Sequence, residues 1–230
     1  MGEEDKQEQQ EEQQEQPGAE TEATEAAEGA EAAGAERNGP DWEKRSELGF
    51  VGALFGTIKK VMLEPAETFE GMKREGGVGA PLFFFIIITI IANVVNIVLS
   101  MGFAIVPVVV IGLIGPFIGA GIIHVMLMIL GAAKYSYETT FRTVCYGNAP
   151  NALGIVPVIG AIVGGIWGLI VTIIGLSKSQ ETSTFKAAVA VILPAVVIAC
   201  VLGVLLGGMI LAAIGGAAAS SPEFTGNPPM

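Results

Sequence analysis

Three long stretches of this chain contain no charged side chain: residues 82–133, 143–176 and 187–214. An α-helix rises 1.5 Å per residue and the hydrocarbon core of a bilayer is about 30 Å thick, so about 20 such residues can cross it. An apolar content of 51% is also high for a soluble domain. The sequence therefore predicts an all-α integral membrane protein, built as a bundle of transmembrane helices.

Prolines, glycines and asparagines divide these stretches into five predicted spans. The spans are predicted at about 82–103, 109–132, 143–157, 160–177 and 187–214. The second span carries Pro116, which predicts a kink there. Together the spans define a membrane domain at 77–216, followed by a short C-terminal tail at 217–230.

The N-terminal part of the chain has a different composition. Residues 1–47 hold 16 of the 23 acidic residues and 4 of the 12 basic ones, a net charge of −12, whereas the remaining 183 residues carry +1. This segment is rich in Glu, Gln and Ala and has no aromatic residue before Trp42, so it cannot bury enough apolar surface to offset the entropy of ordering. We predict a disordered acidic tail over 1–47. We expect membrane insertion to begin at an internal hydrophobic segment.

Residues 48–76 link the tail to the first span. Between 48 and 62, apolar residues recur every three or four positions beside Lys59 and Lys60, which predicts an amphipathic helix. Pro65 suits the first turn of a second short helix that runs to Arg74. We predict that both helices lie at the membrane surface.

The basic residues near the spans fall in alternate loops. They are Lys59, Lys60, Lys73 and Arg74 before span one, Lys134 and Arg142 between spans two and three, and Lys178 and Lys186 between spans four and five. Because Lys and Arg are retained on the cytoplasmic side, this alternation predicts five spans with a cytoplasmic N-terminus and a non-cytoplasmic C-terminus.

Span one carries four polar residues, Thr89, Asn93, Asn96 and Ser100, at spacings of four, three and four. These spacings place all four side chains on one face of a helix, which should point into the bundle. Two interpretations are open. The face either forms interhelical hydrogen bonds that hold the bundle together, or it lines a path for a substrate.

Other polar residues lie within the predicted spans. His124 could titrate or bind a metal, but no second histidine or acidic residue accompanies it, so we interpret it as a structural residue. Asn148 and Asn151 flank Pro150, and they either satisfy backbone groups that the proline frees or form a pocket at a broken helix. We expect no metal site and no cofactor.

Glycines spaced four residues apart allow helices to approach closely, within one chain or between copies. They are Gly115 and Gly119, then Gly160, Gly164 and Gly168, and finally Gly203 and Gly207. The chain has no Gly-rich phosphate loop, no HExxH and no GxSxG with triad partners. We therefore expect neither an enzyme nor a nucleic-acid partner.

Several short motifs follow one another along the five predicted spans. They are Glu64-Pro65-Ala66-Glu67-Thr68-Phe69 before span one, Tyr137-Glu138-Thr139-Thr140-Phe141 leading into Tyr146-Gly147-Asn148-Ala149-Pro150 in span three, and Trp167 in span four followed by Thr184-Phe185-Lys186-Ala187 and Pro194. With these motifs in this order, the segment from about 50 to 214 resembles the Yip domain family, the Ypt/Rab-interacting multi-pass membrane proteins. The resemblance implies five spans and a cytosolic N-terminus.

For the eukaryotic branch, the resemblance implies a role in membrane traffic, with Rab-type GTPases bound at the cytosolic face and association with other family members. This chain lacks the Asp-Leu-Tyr-Gly-Pro segment of that branch, and its tail and simple loops resemble the bacterial members. We therefore expect a bacterial plasma membrane. A cytoplasmic protein partner or self-association is a stronger expectation than GTPase binding.

Two functions remain open from the sequence. In the first, the protein is a non-enzymatic membrane organiser or adaptor, embedded in the lipid bilayer, whose tail and surface helices recruit a partner. In the second, it is a small transporter or channel with a polar path along span one.

Overall fold

The computed structural model describes residue 37 and residues 39–219. This part of the chain forms nine α-helices and two 3₁₀ helices, with no strand among its residues. The α-helices are α1 (Arg45–Leu48), α2 (Phe50–Leu63), α3 (Pro65–Glu70), α4 (Gly79–Ala92), α5 (Val94–Leu99), α6 (Ile105–Ile129), α7 (Tyr137–Gly147), α8 (Ile159–Ser179) and α9 (Thr184–Ala219). The 3₁₀ helices are Asp41–Lys44 and Ala149–Ile155.

Three of these helices are long and apolar enough to cross a membrane: α6, α8 and the Thr184–Met209 part of α9. Their outer surfaces are apolar and exposed, as at Ile111 (65%), Ile166 (60%) and Val204 (76%). A large apolar surface of this kind is unfavourable in water and is expected in contact with lipid. The protein is therefore an all-helical integral membrane protein.

The segment predicted as span one, 82–103, is two helices and not one. Helix α4 ends at Ala92, and α5 begins at Val94. At the break, the side-chain amide of Asn93 donates to the carbonyl oxygen of Thr89 (2.9 Å). Such local side-chain bonds compete with the backbone hydrogen bonds of a helix, which favours a break at Asn93. The prediction of one continuous helix over 82–103 is therefore corrected.

The segment predicted as span three, 143–157, also differs from the structure. Helix α7 begins earlier, at Tyr137, and ends at Gly147, after which the chain continues as the 3₁₀ helix Ala149–Ile155. Pro150 explains the change, because proline lacks an N–H donor and disfavours the α conformation in the residue before it. The other three predicted spans correspond to α6, α8 and α9, with ends that differ by up to five residues.

The predicted disordered tail is too long at its C-terminal end. Residues 1–36 and 38 lie outside the described residues, but residues 41–48 are helical, and Trp42 is fully buried. The composition of 1–47 did not indicate this folded segment. A single aromatic side chain, Trp42, can order a polar segment when its ring is buried and its N–H group has a hydrogen-bond partner. At the other end, α9 continues to Ala219, and the rest of the predicted tail at 217–230 lies beyond the described residues.

Helices α2 and α3 pack against the apolar helices through one shared core. This core joins Val61 of α2 and Phe69 of α3 to Phe84 of α4, Tyr146 of α7 and Val171 of α8. Helix α3 ends at Glu70, earlier than the predicted end at Arg74. The two helices are thus part of the folded body, with the opposite face of α2 exposed.

Candidate functional site

Arg142 of α7 is the centre of a buried polar cluster, which we call the anchor. Its side chain is 1% exposed and forms an ion pair with Glu43. It also donates to the carbonyl oxygens of Lys73 (2.8 Å) and Gly77 (3.0 Å). The Tyr146 hydroxyl donates to the same Glu43 carboxylate (2.9 Å). A buried guanidinium is stable only when it is paired and hydrogen-bonded, and here both conditions are met.

Trp42 extends the anchor to α2 and α4. Its backbone N–H donates to the Thr57 hydroxyl (2.8 Å), and its indole N–H donates to the Ala80 carbonyl oxygen (2.8 Å). The ring packs edge-on against Phe50 and beside Phe84. Adjacent residues 42 and 43 are therefore fixed to three different helices, which holds residues 39–48 on the folded body.

A second polar cluster joins three loops at the same end of the molecule. Glu181 forms ion pairs with Arg74 and Lys134. The Arg74 guanidinium also stacks on the Tyr135 ring, with its carbon 3.4 Å from the ring centroid. The hydrogen bonds from Lys134 and Arg74 and the positive charge of Arg74 lower the pKa of Glu181 to about 2, against the opposing effect of burial. These contacts hold together the loops before α4, between α6 and α7, and between α8 and α9.

His124 lies close to this second cluster. Its Nδ1 is 2.9 Å from the Thr140 hydroxyl, and its ring packs edge-on against Tyr137. Thr140 in turn accepts a hydrogen bond from the buried Gln180 side chain (3.0 Å). His124 therefore links α6 to α7.

Five of the predicted polar residues line one cavity of about 470 Å³. They are Thr89, Asn93, Asn96, Asn148 and Asn151. The cavity lies where α4 gives way to α5 and where α7 gives way to the second 3₁₀ helix. The structure thus joins the polar face of span one to the two asparagines that flank Pro150.

The amides in this cavity are bonded mainly to one another. Asn96 donates weakly to Asn93 Oδ1 (3.5 Å), and Asn151 donates to Asn148 Oδ1 (2.5 Å). Ser100, the fourth residue of the predicted polar face, does not line the cavity. Its hydroxyl donates to the Ile97 carbonyl oxygen and accepts from the Ala104 N–H in the turn after α5.

The glycines of α8 lie against the neighbouring backbone. A Cβ added to Gly164 would lie 2.6 Å from the Pro150 carbonyl oxygen, and one on Gly160 would overlap the Leu153 carbonyl. One on Gly168 would lie 3.7 Å from the Gly147 carbonyl oxygen. Glycine at these positions lets α8 approach the second 3₁₀ helix closely.

The other predicted glycines have more space. A Cβ on Gly115 would meet only the Ile111 side chain of its own helix, at 3.8 Å. Gly119, Gly203 and Gly207 would have no described atom within 4 Å.

The family-like motif residues are spread through the packed body. Phe69 is fully buried against Gly175, where an added Cβ would lie 2.9 Å from its ring. Trp167 donates from its indole to the Met62 carbonyl oxygen (3.1 Å). Pro65 occupies the first turn of α3, Pro150 is buried, and Pro194 lies within α9. Tyr146 belongs to the anchor.

Sequence reasoning missed Trp42, Glu43, Arg142 and Glu181. Arg142 had a signal that could have been used, because a lone arginine that begins a long apolar stretch needs a counter-ion. Glu43 had none, since it is one acid among many in a segment of uniform composition. Among the described residues, no group of three or more His, Cys, Asp or Glu side chains is placed to hold a metal ion.

Comparison with known proteins identifies a family. No curated protein and no solved structure is similar enough to this chain to count as a match. The family model for the Yip1 domain matches residues 59–207, well over half of the 230 residues. The matched segment begins in α2 and ends in α9, so it contains Arg142, Tyr146 and all the residues that line the cavity. The chain belongs to the Yip1 domain family.

Proposed function

We propose that the protein is a non-enzymatic membrane organiser that presents its acidic N-terminal segment to a cytoplasmic protein partner or to a second copy of itself. The observation that carries this proposal is the anchor. Residues 1–38 contain 13 acidic and two basic residues and are joined to the chain immediately before the anchored segment. A segment attached at a fixed point is presented from one place on the membrane surface, which favours capture of a partner.

The proposed topology has five crossings, with the N-terminus in the cytoplasm and the C-terminus on the other side. The meeting of three loops at Glu181 supports it. Because these loops lie at one end, an even number of crossings must separate each from the next. In this topology α4 and α5 together form the first crossing and α6 the second. Helix α7 with its 3₁₀ extension forms the third, α8 the fourth and α9 the fifth. The cations gathered at that end favour the cytoplasmic side.

We place α2 at the membrane surface beside the crossings. Its outward face carries Phe55 (65% exposed) and Leu63 (67% exposed) beside the exposed Lys59 and Lys60. Apolar side chains next to lysines are typical of helices that lie in the headgroup region. The membrane that we propose is the bacterial plasma membrane, in agreement with the composition of the tail.

The partner that we propose carries a basic surface. The segment 1–38 has a net charge of −11, and opposite charge accelerates encounter and favours binding at low salt. GTPase binding is the weaker expectation, and the experiment below would detect a bound GTPase. The role requires no catalytic step.

The test is affinity purification from native membranes of three forms: the full chain, a form without residues 1–38, and a full-length form with the 13 acidic residues of 1–38 changed to glutamine or asparagine. Mass spectrometry then identifies the bound proteins, and a second copy of the chain with a different tag, present in the same membranes, reports self-association. A partner that is retained only by the full chain supports the organiser role. The same partners in all three samples, or none in any, would contradict it.

The cavity favours a second candidate function, a small transporter or channel. Its polar lining joins two broken helical segments, an arrangement that secondary transporters use for substrate sites. Flux into liposomes that contain Asn93→Ala or Asn96→Leu tests it. A transport role predicts folded protein with lost flux, whereas a role in packing predicts lost stability.

A further inference from the structure

The cavity lies far from the end of the molecule where three loops meet at Glu181. Asn93 follows the first residue of α4 by 14 residues, about 21 Å at 1.5 Å per residue. Asn148 follows the first residue of α7 by 11 residues, about 16 Å on the same basis. Both helices begin next to the loops that meet at Glu181. In the proposed five-crossing topology, on which this depth rests, the cavity is more than halfway across a hydrocarbon core of about 30 Å.

The amides in the cavity have unused hydrogen-bonding capacity. An asparagine side chain offers two N–H donors and a carbonyl oxygen with two lone pairs. Among the described residues, the Asn148 amide nitrogen and the amide oxygens of Asn96 and Asn151 have no hydrogen-bond partner. These atoms are accessible from the cavity, since Arg74 Nε alone is buried without a partner among the side-chain polar atoms that the structure describes. They are therefore free to bond to a ligand that enters the cavity.

The lining indicates the chemistry of that ligand. None of the described residues that line the cavity is charged. An ion would lack a counter-charge in a low-dielectric environment, so the ligand should be uncharged. Donors and acceptors are both offered, and hydroxyl groups can bond to both. A volume of about 470 Å³ is near the lower end of the range for small-molecule sites.

We propose that this cavity binds an uncharged, hydroxyl-rich group of the size of a hexose. The group belongs either to the head of a membrane glycolipid or to a free sugar. Asn96 and Val158, both in the lining, are exposed, and Val158 lies in the turn between the second 3₁₀ helix and α8. In the proposed topology this turn lies at the membrane surface opposite the charged loops, so the cavity is open both to a lipid headgroup of that leaflet and to a free sugar. The inference is independent of the organiser role, and it holds whether or not the ligand crosses the membrane.

The experiment compares two probes with the full-length protein in phosphatidylcholine nanodiscs, prepared without sugar-based detergent. In one arm the nanodiscs contain monoglucosyl diacylglycerol, and native mass spectrometry counts the lipid molecules that remain bound. In the other arm glucose is titrated by calorimetry. Retention of the glucolipid over phosphatidylcholine supports a lipid source, and heat from glucose binding supports a soluble source.

Two variants test the site in different ways. Asn96→Leu removes an exposed amide from the lining, and Ala161→Phe fills the cavity from α8 without removing a polar group. We expect Asn96→Leu to lower binding about tenfold, since one lost hydrogen bond to a ligand costs roughly that factor. We expect Ala161→Phe to lower binding about tenfold or more, because the ring occupies space that the ligand needs. The matched controls are Ser100→Ala, from the same predicted polar face but outside the cavity, and Val163→Phe, at an exposed position two residues after Ala161 that does not line the cavity.

Both controls should bind like the unmodified protein. The proposal is overturned if neither probe binds, or if binding is equal in Asn96→Leu, Ala161→Phe and the controls. Equal unfolding temperatures of the four variants show that any loss of binding comes from the change in the cavity and not from unfolding of the protein. Because the assay measures bound ligand without any partner protein or flux, its failure is distinct from failure of either proposed function.

Discussion

The guanidinium of Arg142 and the carboxylate of Glu43 form an ion pair across 99 residues of sequence, with exposed side-chain fractions of 1% and 12%. A pair at this depth has lost the hydration of both partners. Its attraction and the added hydrogen bonds from Arg142 to two carbonyl oxygens must offset that loss. Removal of one partner therefore leaves a buried charge without compensation.

Arg142→Met should lower the free energy of unfolding by about 3–5 kcal/mol, the usual cost of breaking a buried pair. The measurement is thermal unfolding of the purified protein in detergent. Lys60→Met is the matched control, because Lys60 pairs with Asp41 at the surface with half of its side chain exposed (51%), and such pairs contribute under about 1 kcal/mol. Equal effects of the two substitutions would refute the assignment of the anchor as buried.

Trp42 should show the fluorescence of a buried indole. The chain has two tryptophans, so Trp167→Phe leaves Trp42 as the only emitter. Full burial and a hydrogen bond to Ala80 predict blue-shifted emission with little quenching by acrylamide. The control is the same variant after unfolding. Efficient quenching in the folded protein would mean that residues 39–48 are not held as described.

Gly164→Ala and Gly165→Ala should have opposite effects, although the two positions are adjacent. A Cβ at Gly164 would lie 2.6 Å from a backbone oxygen of Pro150, which cannot move without shifting the 3₁₀ helix, whereas a Cβ at Gly165 would meet nothing within 4 Å. We expect Gly164→Ala to destabilise by about 1–3 kcal/mol. Gly165→Ala should be neutral or stabilising by up to about 1 kcal/mol. Comparison of the two unfolding temperatures tests this, and a reversed order would contradict the close packing of α8.

Acid should weaken the contact between the loops. The pKa of Glu181 is lowered from 4.5 to about 2 in the folded protein, chiefly by the hydrogen bond from Lys134. The stability that this carboxylate contributes is therefore present above pH 4.5 and is lost as the pH falls toward 2. Glu181→Gln should lower the unfolding temperature at pH 7, and the difference from the unmodified protein should shrink between pH 5 and pH 3. A difference that is constant with pH would exclude this carboxylate as the source.

The long apolar helices could be predicted from the sequence because their signal is local. Uncharged runs of the required length correspond to α6, α8 and α9. The breaks at Asn93 and Asn148 could not be placed from hydropathy, since an uncharged run reads the same whether its backbone is continuous or broken. The predicted polar residues nevertheless include five that line the cavity, because helical spacing and the position next to Pro150 are both visible in the sequence.

The ion pair between Arg142 and Glu43 could not be predicted from the sequence, because its two residues meet only in the folded protein. Glu43 differs from the other acidic residues near it only because the fold brings it next to Arg142. The residues beside it in the sequence do not indicate this contact. The same is true of Glu181, which joins loops that are far apart in the chain. Long-range ion pairs of this kind depend on the folded topology and are not encoded in any short window of sequence.

The anchor also determines the residue at which a folded fragment of this protein can begin. The segment that matches the Yip1 domain begins at residue 59, which is 16 residues after Glu43. A fragment that starts there would retain Arg142 and discard its counter-ion, so it would carry a buried cation with nothing to neutralise it. A fragment that starts at Gly39 would keep the pair whole. For expression, tagging or domain exchange, the unit that folds is thus longer than the unit that families of related sequences outline.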